Sequence, residues 1–438
     1  MTNFKDLNLS THILSALEKK GYTKPTPIQE KSIPHVLSKK DLMGIAQTGT
    51  GKTAAFALPI LDNLFKSKNQ VQPNNIRTLI LTPTRELASQ IFENIDLYGQ
   101  GLGLRYKVVF GGININPQIK AMKRGFDILV ATPGRLLDLK RQGHIDFSQV
   151  ETFVLDEADR MLDMGFIHDV RKIISKLPTK RQTLFFSATM SQDIIRLANS
   201  ILKNPIKVEV TPQATTVEKI DQKINMVDKS NKLLLLKAIL EQENAKSVLI
   251  FSRTKHGANR IVKYLDSVSI NSAAIHGNKS QAARERALGD FRKDAIKVLV
   301  ATDIAARGID IPNISHVINF DMPCEAESYV HRIGRTARAG QDGIAISFCD
   351  SSEIKFLKAI ERLIKFKVPI DTEHPLHGVK ARIVPKEHAD RRERPSSRPS
   401  ERNRNSNNRR PFSKDSSDER NSSQRGFGNK SFFGKRRK

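Results

Sequence analysis

The sequence predicts an α/β chain of two tandem units, each built on a parallel sheet, followed by a disordered basic tail. Three observations predict it. Segments recur at a fixed offset of 170 residues, short apolar and β-branched runs alternate with segments of helical period, and large aliphatic residues vanish near the carboxyl end while basic ones accumulate.

The repeat comes first. Leu79-Ile80-Leu81-Thr82 returns as Leu249-Ile250-Phe251-Ser252, and Ile128-Leu129-Val130-Ala131-Thr132 returns as Val298-Leu299-Val300-Ala301-Thr302. The same offset relates Thr84 to Thr254, Ala88 to Ala258, Ile91 to Ile261 and Asp96 to Asp266. Strands are expected at 78–82, 106–110, 128–131, 152–155 and 183–186, then at 247–251, 297–301, 316–319 and 343–348. Such runs suit parallel strands covered on both faces. Pro205 and Pro212 interrupt a polar stretch at 204–218, which marks a hinge. The expected domains are residues 1–206 and 218–375, joined by a linker at 207–217 and followed by a tail at 376–438.

The chain has 438 residues and a formal charge of +27, which calls for a polyanionic partner. Residues 379–438 hold 19 Lys or Arg against 7 Asp or Glu, so this stretch alone carries +12. Beyond Val384 there is no Ile, Leu, Val, Met or Tyr, and nothing there can offset the entropy of ordering. Arginines interspersed with Phe412, Phe427, Phe432 and Phe433 suit sequence-independent RNA binding; the plainer alternative is a solubilising tail. No apolar run approaches the roughly 18–20 residues that span a bilayer, and the start MTNFKDLNLS does not read as a signal peptide. A cytoplasmic monomer without a membrane partner is the expectation. Cys324 and Cys349 lack CxxC spacing and suggest neither a disulfide framework nor a zinc site.

The two copies are not equivalent. Residues 46–53 read Ala46-Gln47-Thr48-Gly49-Thr50-Gly51-Lys52-Thr53, a phosphate-loop pattern with Ala46 at the first glycine position. Backbone N–H groups from Thr48 to Gly51 would cradle phosphates, Lys52 would neutralise the β and γ oxygens, and the Thr53 hydroxyl would coordinate Mg²⁺. Asp156-Glu157-Ala158-Asp159 follows the apolar run Phe153-Val154-Leu155. Asp156 would be the carboxylate partner of Mg²⁺ and Glu157 would orient the attacking water. Adding 170 to Lys52 gives Gln222 and to Asp156 gives Ala326, with neither loop nor acid pair, so only the first copy can hold the phosphates.

Further motifs complete the pattern: Pro25-Thr26-Pro27-Ile28-Gln29, Pro83-Thr84-Arg85-Glu86-Leu87-Ala88, Gly111-Gly112, Thr132-Pro133-Gly134-Arg135 and Ser187-Ala188-Thr189 in the first copy. In the second stand Phe251-Ser252-Arg253-Thr254, Gln281 with Arg284, ATDIAARGID at 301–310 and HRIGRTARAG at 331–340. In this order the motifs resemble the DEAD-box family of ATP-dependent RNA helicases, over about residues 4 to 370.

The resemblance implies two RecA-like domains, ATP and Mg²⁺ as cofactors, RNA as partner, and local unwinding of short duplexes driven by domain closure. It implies that Gln29 reads adenine, which suits a carboxamide that donates and accepts at once, that Phe4 stacks on the base, and that Asp310 belongs to the nucleotide side. Arg335 and Arg338, three apart, resemble arginine fingers that complete the site only on closure, with His331 helping to join the domains. Arg85, Gly112, Thr132, Gly134, Arg135, Arg253, Arg284, Thr302 and Gly308 would line the RNA path. Asp159, Ser187 and Thr189 would link the two sides. The short basic tail is similar to that of the bacterial RhlE-type branch, with ribosomal precursors or RNA-decay machinery as partners.

Overall fold

The computed structural model describes residues 3–47, 49–67, 69–210, 220–242, 245–306, 314–337, 343–374, 376 and 377. Thr48, Gly308, Asp310, Arg338, most of the expected linker and the basic tail lie outside them.

Seven strands form a first sheet: β1 (Leu42–Ile45), β2 (Ile76–Leu81), β3 (Tyr106–Val109), β4 (Phe126–Ala131), β5 (Thr152–Leu155), β6 (Gln182–Ser187) and β7 (Ile206–Glu209). Seven more form a second: β8 (Ile220–Met226), β9 (Val248–Phe251), β10 (Ser272–Ile275), β11 (Val298–Ala301), β12 (His316–Asn319), β13 (Gly343–Cys349) and β14 (Ile370–Asp371). The orders are β3-β4-β2-β5-β6-β1-β7 and β10-β11-β9-β12-β13-β8-β14. Each strand of the second sheet takes the place of the strand seven before it, and every pairing is parallel. The chain is therefore two tandem RecA-like units, as the fold reading expected.

Period-two alternation explains how each sheet is covered on both faces. In β4, Ile128 and Val130 join one core cluster while Leu129 and Ala131 join the other; in β2, Ile80 faces the first and Leu79 and Leu81 the second. The repeated threonines have a local reason. Thr84 and Thr254 are N-caps whose hydroxyls accept from Leu87 N and Gly257 N, opening helices Arg85–Tyr98 and Lys255–Ser267. An N-cap of this kind contributes ~1 kcal/mol. The paired Ala88/Ala258 and Ile91/Ile261 are the buried faces of those helices.

One boundary differs from expectation. Residues 206–209 form β7 at the edge of the first sheet, in register with β1, so the sheet extends into the stretch assigned to the linker. Only Val208 there is buried while Lys207 and Glu209 are exposed, a half-buried pattern too short to stand out beside Pro205. Because β2, β5, β6 and β1 are neighbours in that order, the turns following β1, β5 and β6 open along one edge. Ligand sites in open α/β sheets form at such carboxyl ends.

Candidate active site

After β1 the backbone turns through Gly49 and Gly51, both left-handed at φ 87° and 93°, before Lys52 opens helix Lys52–Ser67. Gly51 is required: a Cβ there would meet the Gln29 amide and lie 3.0 Å from Thr26 Oγ1. Gln29 is tied to this loop, its Nε2 donating to Gly51 O at 3.1 Å and its Oε1 accepting from Thr26 N at 2.9 Å. One amide hydrogen and one lone pair remain for a ligand. Thr50 Oγ1 donates to Gln47 O at 2.7 Å, closing the turn.

A cleft of ≈ 710 Å³ opens here, lined among others by Phe4, Gln29, Lys52, Thr53, Asp156 and Glu157. Phe4 has two roles, since it is also 4 % exposed in the first core cluster. Lys52 is only 6 % exposed, and its Nζ has no hydrogen-bond partner among the described residues. A buried ammonium without an acceptor is costly, and an anion in the cleft removes that cost. The residues thus fit a phosphate chain.

Asp156 and Glu157 follow β5 and are both buried. Burial pushes the Asp156 carboxyl up to about 7; Lys52 pulls it down and Glu157 pushes it up further. Glu157 is left-handed at φ 54° and ψ 51°, a conformation uncommon outside glycine. Its Oε2 accepts from Arg160 Nη1 at 2.6 Å in a pair buried on both sides. Arg160 is absent from the residues singled out in the sequence; its signal was the i,i+3 spacing to Glu157. Asp159 Oδ2 accepts from Ala188 N at 3.1 Å, Thr189 N at 2.9 Å and Thr189 Oγ1 at 3.2 Å, while Ser187 Oγ donates to Thr189 O at 2.8 Å. Asp159, Ser187 and Thr189 are therefore one bonded unit.

Arginines gather elsewhere in the molecule. A Cβ on Gly112, left-handed at φ 81°, would collide with the Arg85 guanidinium. Arg135 donates to Ile113 O at 3.0 Å, and its Nη1 is buried without a partner among the described residues. Arg85 lies against Gly112, Arg135 bonds the adjacent Ile113, and Arg284 pairs with Glu86 beside Arg85; burial lowers the pKa of Arg135 and Arg284, and the like charge of Arg85 adds to this. Arg284 reaches Glu86 at 3.0 Å and Gln281 reaches it at 3.4 Å, joining the second unit to the first. Thr132 holds the N-cap position of helix Pro133–Arg141 without a side-chain capping bond, Gly134 is exposed in the first turn, and Thr302 directly follows β11. Arg253 is partly exposed.

His331 and Arg335 line a small separate cavity with Asp303 and Arg332; the second-unit residue on the large cleft is Arg292, which the sequence did not single out. Arg332 holds Asp303 through two bonds, at 2.5 and 2.7 Å.

Comparison with known proteins decides the family. Residues 26–197 match the DEAD/DEAH box helicase model and 228–340 match the helicase conserved C-terminal domain. The chain is 43% identical over 368 residues to the DEAD-box ATP-dependent RNA helicase CshA of Geobacillus kaustophilus, covering 84% of this chain and 78% of that protein. The chain belongs to the DEAD/DEAH box helicase family. It is also 43% identical over 398 residues to the ATP-dependent RNA helicase DbpA of Bacillus subtilis, covering 91% of this chain and 82% of that one. Among solved structures, S. cerevisiae Dbp5 bound to RNA and ADP BeF3 superposes with TM-score 0.76 at 31% identity, over 85% of this chain and 96% of the other. Mss116 bound to ssRNA and UDP-BeF gives TM-score 0.76 at 30% identity, over 86% and 81%.

The equivalent topology of the two units of this DEAD-box chain corrects one inference drawn from the fixed offset. Register pairs Leu155 with Leu81 and Asn319 with Phe251, so the counterpart of Glu157 is Asp321, not a residue near Ala326. Likewise Lys232 opens helix Lys232–Gln242 after β8 just as Lys52 opens the helix after β1. The second unit keeps a lysine and an acid at these places, though its turn, Val227 to Asn231, contains no glycine.

Proposed function

We propose that the chain is an ATP-dependent RNA helicase that remodels or locally unwinds short RNA duplexes through ATP- and RNA-coupled closure of its two units. The observation that carries this reading is the buried Lys52 ammonium, without a hydrogen-bond partner among the described residues, in the cleft with Asp156 and Glu157. Lys52 neutralises the β and γ oxygens, the loop amides hold the chain of phosphates, and Gln29 and Phe4 meet the adenine. Glu157, fixed by Arg160, orients the attacking water. Thr53 and Asp156 would hold Mg²⁺, which would supply charge neutralisation at the phosphates. Among the described residues no group of three or more His, Cys, Asp or Glu could hold a metal alone, which suits an ion arriving with its phosphates.

Arg335 and Arg338 supply positive charge to the transferring group when the units close, with His331 helping to join the domains and Asp310 proposed for the nucleotide side. Arg85, Gly112, Thr132, Gly134, Arg135, Arg253, Arg284, Thr302 and Gly308 follow the RNA backbone, and the contacts of Arg85 at Gly112, Arg135 at Ile113 and Arg284 at Glu86 support a phosphate path. The Asp159 unit couples hydrolysis to that path. The domain reading is a first unit to about residue 206, a linker, a second unit from 218 to 375 and a basic RNA-binding tail, with β7 added to the first. The RhlE-type branch rests on the short basic tail, whereas the relatives above carry the names CshA and DbpA; we therefore state the function at the level of the family. No helix among the described residues is long and apolar enough to cross a membrane, and an RNA substrate supports action in the cytoplasm, on ribosomal precursors or decaying RNA.

Glu157→Gln tests the reading. Turnover falls by about 10²-fold or more while ATP-dependent RNA binding persists; unchanged ATPase activity removes Glu157 from its role.

A further inference from the structure

The second unit contains an anion hole. Glu353 is 1 % exposed, and its carboxylate accepts from Lys232 Nζ at 2.6 Å, Arg253 Nη2 at 2.5 Å, Met322 N at 3.1 Å and Asp350 N at 3.3 Å. Lys232 also lies 3.3 Å from the buried Asp350 carboxylate, but of the two only Glu353 receives both cations and two backbone amides, the donor set of a phosphate site. Topology says which one. Lys232 opens the helix after β8 as Lys52 opens the helix after β1, one residue short of the strict register, and Asp321, 4.0 Å from its Nζ, stands where that unit has Glu157. Register also aligns Phe185 with Ser347, so the counterpart of Glu353 is Ser191 six residues on. Ser191 is a short N-cap bonded to Ile194 N, and Lys52 Nζ has no hydrogen-bond acceptor among the described residues.

We infer that Glu353 is a built-in substitute for phosphate: its carboxylate fills the place that the first unit keeps open, and there it positions the Arg253 guanidinium. Arg253 is held from three sides, by Glu353, by Met322 O at 3.1 Å, and through its own backbone N–H to Asp321 Oδ2 at 2.8 Å. Its side chain remains 40% exposed, so part of the guanidinium faces outward. Stability alone does not account for the arrangement. Burial raises the Glu353 carboxyl above its ordinary value against the pull of Lys232, and buried pairs of this kind are often no more stable than apolar replacements. The gain is a long side chain with one orientation. The inference rests on the proposed RNA contact of Arg253, and it makes Glu353 a positioning residue.

The test is the RNA-stimulated ATPase of the full chain, with KM for a poly-uridine strand measured for wild type, Arg253→Ala, Glu353→Ala and Glu353→Gln. Glu353→Ala raises the RNA KM about tenfold with little change in the KM for ATP, the size expected when a charge-assisted bond is removed. Acetate replacing chloride at equal ionic strength restores it, because acetate fits the vacated hole; Glu353→Gln is equally impaired and acetate does not restore it, because the amide occupies the space. Should Glu353→Ala be too unstable to assay, acetate raises its melting temperature and not that of wild type, while Glu353→Gln carries the KM measurement. Acetate acting alike on Glu353→Ala and wild type overturns the internal anion. An Arg253→Ala defect without a Glu353→Ala or Glu353→Gln defect overturns positioning alone, whereas an unchanged RNA KM in Arg253→Ala removes the RNA contact on which it rests.

Discussion

Glu157 pays a backbone cost of about 1–3 kcal/mol for its left-handed conformation, and the buried bond to Arg160 over-determines it. Strain tolerated in a buried acid at the mouth of a cleft is the mark of a group whose direction matters. Legibility at this scale follows sequence distance. Lys52, Asp156 and Glu157 could be read because a phosphate loop and a strand-terminal acid pair are local patterns. Glu353 could not, since it meets Lys232 across 121 residues and only folding brings them together. The cysteines give a simple check of burial. Cys324 is exposed, whereas burial pushes the Cys349 thiol up to about 12, with Glu353 adding to the effect. At pH 8 the native protein should react with an aromatic disulfide reagent at one thiol and the denatured protein at two; rapid reaction of two native thiols would contradict the packing of β13.

At the scale of elements, the offset of 170 holds where β2 and β4 repeat as β9 and β11, and fails elsewhere. Leu155 and Asn319 are 164 apart, and Ile45 and Met226 are 181 apart, so different loop lengths hide the equivalence of β5 with β12 and of β1 with β8. Short strands such as β1, β7 and β14 carry too few residues for a period to show. The turn after β3 offers an element-scale prediction. Gly112 is left-handed and lies against the Arg85 guanidinium, so Gly112→Ala adds both backbone strain and a collision. RNA-stimulated ATPase should fall, with a cost of about 1–3 kcal/mol at this turn, while ATP affinity in the absence of RNA stays near wild type. A parallel loss of ATP affinity would mean that the turn supports the nucleotide cleft instead.

At the scale of the molecule, charge is distributed unevenly. The stretch 379–438 carries +12 of the total +27 and lies outside the described residues, so its role is argued from composition. If it binds RNA through phosphates, deleting residues 385–438 lowers RNA affinity and flattens the slope of log affinity against log salt by roughly 0.7 for each single-strand phosphate that the tail had neutralised. An unchanged slope would leave it a solubilising tail.

Two sheets with one strand order share a form, yet the second has no glycine in its turn from Val227 to Asn231, and a glutamate stands at a helix start where the first has a serine. Lys52 lines a cleft that an anion can enter from outside, whereas Glu353 brings its own carboxylate to Lys232. A duplicated machine thus needs no second fuel port: one half waits for its anion, and the other carries it permanently.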